Sequence, residues 1–407
     1  MWMLLLAALT LTAQEAPEPK IDADLLRLAR IKVHMGANLQ GLPNYTCTQT
    51  IERSRRLPRS RRFELQDTLR LEVALVEGKE LFSWPGSGRF EDKEMRDLVG
   101  NGTFGNGNFA IHARSVFLSN APRFSYEGIV EENGRKLFQY SYDVPQMLSG
   151  YRIRSGDAEA IVAYHGTFQV DARTLDLVEL DVITDEIPPH VPISRTSSLM
   201  RYLRLPIGSG DFLLPLSSLL TVADMLGGES RNQIQFNNCR QYATESVISF
   251  ADPPPEVTDA PPPVIPRKLE LPEGLSLDLR LETPVKFGSS AIGDPLTATV
   301  ASNVKRQGEI VVPKGAVVKG RVTRIQKTFF RTEIITFGLI FDEITFPGAY
   351  GELHARLEDA GPSILPNARV VVMEPPAEDM DQGTISLRGN RLELGKGFRM
   401  LWRTQSK

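Results

Sequence analysis

The chain has 407 residues, of which 41% are hydrophobic and 24% are charged, and its formal net charge is −3 at pH 7. This composition is that of an ordinary globular protein, and the length allows two domains, each with its own core. The small net charge excludes a global field that would attract nucleic acid, so no nucleic-acid partner is expected.

The N-terminus predicts export. Residues 1–13 carry an apolar core from Met3 to Leu11 and end at Ala13, which fits a secretory signal peptide. The apolar run is too short for a membrane-spanning helix, which needs about 20 residues. The alternative is a buried first helix. We therefore expect a protein of the periplasm or cell envelope whose mature chain has no transmembrane segment.

A proline-rich segment divides the chain. Residues 251–266 contain seven prolines, which disfavour sheet pairing and favour an extended linker. The predicted domains are therefore residues 14–250 and 267–407.

The chain has two cysteines, Cys47 and Cys239. Outside the cytoplasm they are expected to form a disulfide, which would join the first strand of the N-terminal domain to its last. The alternative is two separate buried thiols.

The first domain begins with a predicted helix, capped by Asp22 and ended by Gly41 and Pro43. Its expected apolar face comprises Leu25, Leu28, Ala29, Met35 and Leu39.

Mostly period-two patterns follow the helix and predict strands. They lie in residues 67–84, around a turn at Glu77-Gly78, and in residues 135–144, 160–171, 175–187 and 241–250. Residues 172–176 predict a hairpin turn, and residues 217–227 a short helix.

The second domain is more uniformly strand-like, with short apolar segments between Gly and Pro turns. Regularly spaced short strands of this kind predict a small β-barrel or sandwich. The fold class is therefore mainly β: an α+β N-terminal domain with a helix and a curved antiparallel sheet, a proline-rich linker, and a β domain.

Two groups of residues are candidate binding sites. Phe138, Tyr140 and Tyr142 share one face of a strand, which is either core or the lining of a groove for an apolar ligand. A second group forms a candidate anion patch, because guanidinium groups suit phosphates: Arg53, Arg55, Arg56, Arg59, Arg61 and Arg62. Its alternative is a solvated hairpin whose charge is offset by Glu52, Glu64 and Asp67.

No catalytic, cofactor or metal site is expected. The G-x-G-x-x-G at residues 100–105 follows a helix-like segment and not the strand that a dinucleotide site needs. The five histidines are not at ligand spacing, and two distant cysteines do not form a zinc site. No nucleophile–base pair is evident, so the protein is expected not to be an enzyme; a hydrolase remains an alternative.

Several segments of residues 40–250 resemble a family of exported bacterial proteins: "LPNYTCTQTIER", "FAIHARSVF", "GRKLFQYSYDVP", "GTFQVDARTLDLVEL", "FLLP" and "NNCRQYATESVISF". The order of a helix and then a sheet with a D-x-x-T-x-x-hydrophobic hairpin looks like the lipoprotein-carrier half-barrel (LolA/LolB-like). The resemblance implies a concave apolar sheet that holds acyl chains under a helical lid.

Residues 271–325 are similar to the β-barrel of TrbI-type conjugation-pore proteins, through "LPEGLSLDLRLETPV", "AIGDPLTATVASNV" and "EIVVPKGAVVKGRVTRI". The favoured hypothesis is a non-enzymatic envelope protein that binds a lipid, a lipoprotein or another hydrophobic partner in the groove of the first domain. The second domain would then dock to an envelope protein. The alternative is a structural or assembly protein without a small ligand.

Overall fold

The computed structural model describes residues 22–88, 90, 95–99, 103, 109–242, 267–330, 332–361, 369–373, 383–388 and 393–406. The predicted signal peptide and linker, most of the strand expected at 241–250, and most of the Gly-rich motif at 100–105 lie outside these ranges. The predicted mainly β class is confirmed.

Among the described residues of the first part of the chain there are three α-helices: α1 (Ala23–Gln40), α2 (Met95–Val99) and α3 (Ile111–Phe117). Its strands are β1 (Tyr45–Arg56), β2 (Glu64–Val76), β3 (Lys79–Ser83), β4 (Arg123–Glu132), β5 (Arg135–Val144), β6 (Arg152–Ser155), β7 (Ala158–Ile161), β8 (Ala163–Asp171), β9 (Leu177–Asp185), β10 (Ile193–Ile207), β11 (Gly210–Asp224) and β12 (Glu229–Gln241). A 3-10 helix spans Gln146–Leu148.

Ten of these strands form one antiparallel sheet in the order β3-β2-β1-β12-β11-β10-β9-β8-β5-β4, and β6 and β7 form a separate hairpin. The first strand, β1, therefore lies beside the last, β12. Cys47 and Cys239 are joined across this pair in a disulfide, with Cα atoms 4.1 Å apart and a sequence separation of 192. The bond thus closes a long loop where the two ends of the sheet-forming segment meet.

Helix α1 begins where the sequence predicts, because Asp22 Oδ1 accepts a hydrogen bond from the Asp24 amide at 3.0 Å. It buries Ile31, Met35 and Leu39. The expected apolar face is wrong at its start, since Leu25 is 59% exposed. Near the start of the helix, Arg27, and not Leu25, faces the aromatic rings of the sheet.

Both predicted turns of the first domain are present. Glu77 and Gly78 have φ angles of 51° and 82°, as a two-residue turn between twisted strands requires. At residues 172–176, the Asp171 amide donates to the Asp176 carbonyl oxygen at 3.0 Å, and the Leu175 amide donates to the Asp171 carbonyl oxygen at 2.9 Å. The hairpin between β8 and β9 is therefore confirmed.

The short helix predicted for residues 217–227 is wrong. Residues 217–223 lie in β11 and pair on one side with β10 and on the other with β12. Pairing at both edges satisfies the backbone groups of this segment and outweighs its helix-like spacing of leucines. Asp224 is the last residue of β11, and residues 225–227 lie in the β11–β12 turn.

The second part of the chain is made of strands: β13 (Arg267–Lys268), β14 (Ser276–Leu281), β15 (Val285–Lys286), β16 (Pro295–Val300), β17 (Val304–Arg306), β18 (Glu309–Val312), β19 (Val317–Phe330), β20 (Thr332–Phe346), β21 (Ala349–Glu352), β22 (Ala355–Ala360), β23 (Arg369–Met373), β24 (Gly383–Arg388), β25 (Glu393–Leu394) and β26 (Arg399–Thr404).

The main path of this second sheet is β13-β21-β20-β19-β16-β14-β26-β22. Strand β24 pairs with β20 and also with β23, and β22 lies next to β23 and β24. The path therefore turns back towards its start, as in a small barrel. Its interior is apolar, with Phe341 and Trp402 packed edge to face at 5.2 Å.

The two sheets share one cluster of buried apolar side chains, in addition to the cluster under α1 that belongs to the first sheet alone. One cluster of buried apolar side chains includes Leu71 and Val73 from β2 together with Leu296 and Val322 from the second sheet. Strand β3 pairs only with the later part of β2, which leaves the backbone of residues 68–70 open for pairing. The connection between β15 and β16 takes up this edge through Ile292.

The contact at this edge is specific. The Arg70 amide donates to the Ile292 carbonyl oxygen at 2.8 Å, the Ile292 amide donates to the Thr68 carbonyl oxygen at 2.7 Å, and Arg70 forms an ion pair with Asp294. Gly293 has a φ of +96°, and a Cβ there would overlap the Arg70 carbonyl oxygen. Glycine is therefore the residue that this close approach requires.

Candidate functional site

The centre of the candidate site is an aromatic face on β4, β5 and β8. Tyr140 stacks parallel to Phe168, with ring centroids 5.2 Å apart. Phe124 meets Phe168 edge to face at 5.9 Å, and Tyr126 lies 5.1 Å from Tyr140. Tyr140 and Tyr142 are buried, and Phe138 is half-buried. The three predicted groove residues thus belong to one larger aromatic cluster.

Two helices cover this face. Helix α1 places Ile31, Met35 and Leu39 in the same buried cluster as Tyr140 and Phe168. Helix α3 adds Val116 and Phe117 to that cluster, and the Phe117 ring meets Phe168 edge to face at 5.0 Å. The arrangement is that of a sheet face under a helical lid, with its interior filled by the protein's own side chains.

Cationic side chains of α1 close one border of the aromatic face. The Arg27 guanidinium lies 4.6 Å from the ring centroid of Tyr126 and 4.5 Å from that of Phe138. The Lys32 ammonium lies 5.4 Å from the Phe124 ring. At these distances a cation is attracted by the aromatic ring. Burial raises the pKa of the Tyr140 hydroxyl, against the opposing effect of the nearby Arg27.

A polar network, which we call the helix latch, fastens α1 to the sheet. It consists of His34, Asn38, Asp176 and Arg204. Asp176 accepts hydrogen bonds from Arg204 Nε at 2.8 Å and Nη2 at 2.6 Å, and it lies 2.8 Å from His34 Nε2. Arg204 Nη2 also donates to Asn38 Oδ1 at 3.0 Å. Burial alone would raise the pKa of Asp176, but the bonds from Arg204 and His34 outweigh it and lower the pKa to about 2.

A cleft of about 440 Å³ reaches the aromatic cluster from another direction. Phe124 and Tyr142 line it together with polar residues such as Asp143 and His165. The Tyr142 hydroxyl donates to the Asp181 carbonyl oxygen at 2.7 Å, and a Cβ on Gly166 would overlap that same oxygen. The missing side chain at Gly166 therefore leaves room for this contact beside the cleft.

Two of the histidines form His–Asp pairs. His34 lies 2.8 Å from Asp176, and His165 is hydrogen-bonded to Asp185. Within the described ranges, no serine or threonine hydroxyl is hydrogen-bonded to either ring; Ser141, which lines the cleft, donates to Glu127. In the same residues, no group of three or more His, Cys, Asp or Glu side chains is placed to hold a metal ion.

The six arginines of the predicted anion patch are not equivalent. Arg53 is buried and donates to both carboxylate oxygens of Asp67 at 2.6 Å, and Arg56 donates to Glu229 at 2.6 Å. The other four are exposed and have no ion pair among the described residues; they are Arg55, Arg59, Arg61 and Arg62. Two of the six therefore have structural roles, and four remain at the tip of the β1–β2 hairpin.

No protein-family model and no curated protein matches the chain. Three solved structures resemble part of it. A domain from Vibrio parahaemolyticus, named for outer membrane lipoprotein sorting, has 13% identity, covers 53% of this chain and 93% of its own, and gives a TM-score of 0.30. A LolA superfamily protein from Nitrosomonas europaea has 8% identity, and the match covers 53% of this chain and 94% of that protein with a TM-score of 0.28. A DUF1329 family protein from Desulfovibrio piger has 10% identity, and the match covers 53% of this chain and 92% of that protein with a TM-score of 0.27.

Likenesses with TM-scores this low establish neither a shared fold nor a shared function, so the site rests on its own geometry. The similarity of the second sheet to TrbI-type β-barrels stays a prediction. None of the helices described here has both the length and the apolar character that crossing a membrane requires.

Proposed function

We propose that this protein is exported to the cell envelope and takes up a hydrophobic or acylated partner, such as a lipid or a lipoprotein, without chemical change. The observation that carries the proposal is the aromatic face under α1, a helix that is fastened by a polar latch and bordered by cations. The second sheet, which packs on β2, would serve as a docking platform for an envelope partner.

The energetics of the lid support exchange with an apolar ligand. Helix α1 buries three side chains fully, which contributes roughly 5–9 kcal/mol at 1.5–3 kcal/mol each. An acyl chain gains about 0.8 kcal/mol for each methylene that it buries, so a chain of about 14 methylenes gains roughly 11 kcal/mol. The gain from a single acyl chain is therefore of the same order as the apolar burial that is lost when the helix lifts.

A structural protein with no small ligand is the second candidate. The parallel stack of Tyr140 on Phe168 and the side chains of α1 and α3 that fill the interior favour it. The two candidates differ in one property: the helix of a carrier must leave the sheet when ligand binds, whereas the helix of a structural protein stays in place.

Titration of the purified full chain with a fluorescent fatty acid separates them. Arg27→Ala removes the cation over Phe138 and Tyr126, which weakens the closed state by about 1 kcal/mol and should raise the apparent affinity for the probe about fivefold. Arg30→Ala is the matched control, because Arg30 lies on the exposed side of the same helix. Failure of both the wild type and Arg27→Ala to bind the probe would reject the carrier function.

A further inference from the structure

Two connections lie side by side at one end of the first sheet. The β1–β2 connection spans residues 57–63, and the β11–β12 turn spans residues 225–228. They are neighbours because β1 pairs with β12, with Arg56 opposite Glu229. The ion pair between these two side chains, at 2.6 Å, holds the connections together. We call this surface the rim patch.

The rim patch exposes large apolar side chains. Leu57, Met225 and Leu226 are 59%, 62% and 83% exposed. The turn that carries two of them is held in shape by Asp224, whose Oδ1 accepts from the Leu226 amide at 2.8 Å and from the Gly228 amide at 2.9 Å. A single exposed leucine needs no explanation, but three large apolar groups on two adjoining connections concentrate exposed apolar surface at this end of the sheet.

The same surface is basic, although the whole chain is slightly acidic. Residues 55–64 and 224–231 contain six arginines and three carboxylates, Glu64, Asp224 and Glu229. Two arginines are fixed by the structure: Arg56 is paired with Glu229, and the Arg231 guanidinium lies 3.7 Å from the Phe63 ring centroid. Arg55, Arg59, Arg61 and Arg62 are exposed, without an ion pair among the described residues.

Further apolar groups lie at the same end of the sheet. Strand β5 ends and β8 begins there, and the 3-10 helix between them exposes Met147 and Leu148. The β6–β7 hairpin packs beside Val222, which is close to the β11–β12 turn. Exposed apolar side chains are thus spread along one rim of the sheet.

We propose that the rim patch docks onto the surface of an anionic lipid membrane. The combination is what such a surface requires: apolar side chains insert at the boundary between headgroups and acyl chains, and arginines beside them bind lipid phosphates. A soluble polyanion would use the arginines but leave Met225 and Leu226 in water. The surface is separate from the aromatic face under α1, so the proposal goes beyond ligand uptake and its test is independent.

The test is co-sedimentation of the full chain with vesicles of phosphatidylcholine that contain about a third phosphatidylglycerol, and with vesicles of phosphatidylcholine alone. We expect binding to the anionic vesicles that weakens with salt. The double variant Met225→Asp/Leu226→Asp should lose at least tenfold in vesicle affinity, and Arg59→Glu/Arg61→Glu should lose a similar amount. Both pairs are exposed, so the variants should fold.

The separate β17–β18 hairpin of the second part of the chain provides the matched controls. Ile310 is 53% exposed there, and Lys305 and Arg306 are exposed basic residues. Ile310→Asp and Lys305→Glu/Arg306→Glu should leave vesicle binding unchanged. The proposal is overturned if the wild type does not bind anionic vesicles, or if Met225→Asp/Leu226→Asp binds like the wild type. Equal loss in the hairpin controls would also overturn it, because it would show a general charge effect.

Discussion

Removal of the disulfide should cost this protein a large part of its stability. In the double variant Cys47→Ala/Cys239→Ala, the covalent link between β1 and β12 is lost, and the unfolded chain regains the freedom of a 192-residue loop. The chain-entropy relation gives roughly 5 kcal/mol for a loop of this length at 25 °C. Residual structure in the unfolded chain reduces this value, so we expect a loss of about 3–5 kcal/mol in the free energy of unfolding.

Guanidinium unfolding, followed by tryptophan fluorescence, measures this loss, since Trp402 is buried in the second sheet and Trp84 is half-buried at the junction of the sheets. The reduced wild-type protein is the control, and it should unfold near the midpoint of the double variant. A loss below 1 kcal/mol would refute the reasoning. So would the finding that both thiols of the unreduced protein react with an alkylating reagent.

Three further predictions concern the helix latch, a buried histidine and the junction of the sheets. Asp176→Asn should reduce the free energy of unfolding by about 1–2 kcal/mol at pH 7, after allowance for solvent screening, and should speed amide exchange in α1. The control is Asp359→Asn, at an exposed site, which should change neither the free energy of unfolding nor the exchange rate. Because the folded-state pKa of Asp176 is depressed to about 2, its contribution should be present above pH 3.8 and lost as the pH falls to about 2. Burial lowers the pKa of His112 to about 4, so the free energy of unfolding should fall by up to roughly 3 kcal/mol between pH 6.5 and 4. His112→Phe should flatten this pH dependence, and the same change at exposed His190 should leave the pH dependence unaltered. If the free energy of unfolding of His112→Phe depends on pH as the wild type does, His112 is not the titrating group. Gly293→Ala should lower the free energy of unfolding by about 2–3 kcal/mol, because a Cβ there would overlap the Arg70 carbonyl oxygen. Gly395→Ala is the control and should change the free energy of unfolding little, because a Cβ at residue 395 meets open space. Equal effects of the two substitutions would contradict the close approach to Arg70.

Local patterns predicted much of the fold. The alternation in residues 135–144 and 67–84 matches β5 and the β2–β3 hairpin, because a strand with one buried face imposes a period of two on its own sequence. The 172–176 turn was predictable for a similar reason, since its geometry depends on adjacent residues. The N-cap of α1 is likewise a local signal.

The errors arose where distant segments meet. The leucines of residues 217–227 fit a helix as well as a strand, and pairing with β10 and β12 decides between them. The inner face of α1 is set by the rings that lie opposite it, which places Arg27 and Ile31 inward in place of Leu25 and Ala29. Residue spacing within the helix does not contain this information.

The candidate site was predictable only in part. Phe138, Tyr140 and Tyr142 were visible because three aromatic residues alternate on one strand. The helix latch was not, since His34 and Asp176 are 142 residues apart and neither has a local signal. The role of Gly166 depends on the Asp181 carbonyl of the neighbouring strand, and the shared core depends on the open edge of β2.

The most direct test of the proposed ligand uptake is the intact mass of the protein purified from the cells that produce it. The mass would be measured under native conditions and again after denaturation without reductant. We predict a native adduct of lipid size that is lost on denaturation, together with a denatured mass two hydrogens below that of the reduced chain. A native mass equal to that of the bare chain would contradict the carrier function and favour a structural protein with a packed interior.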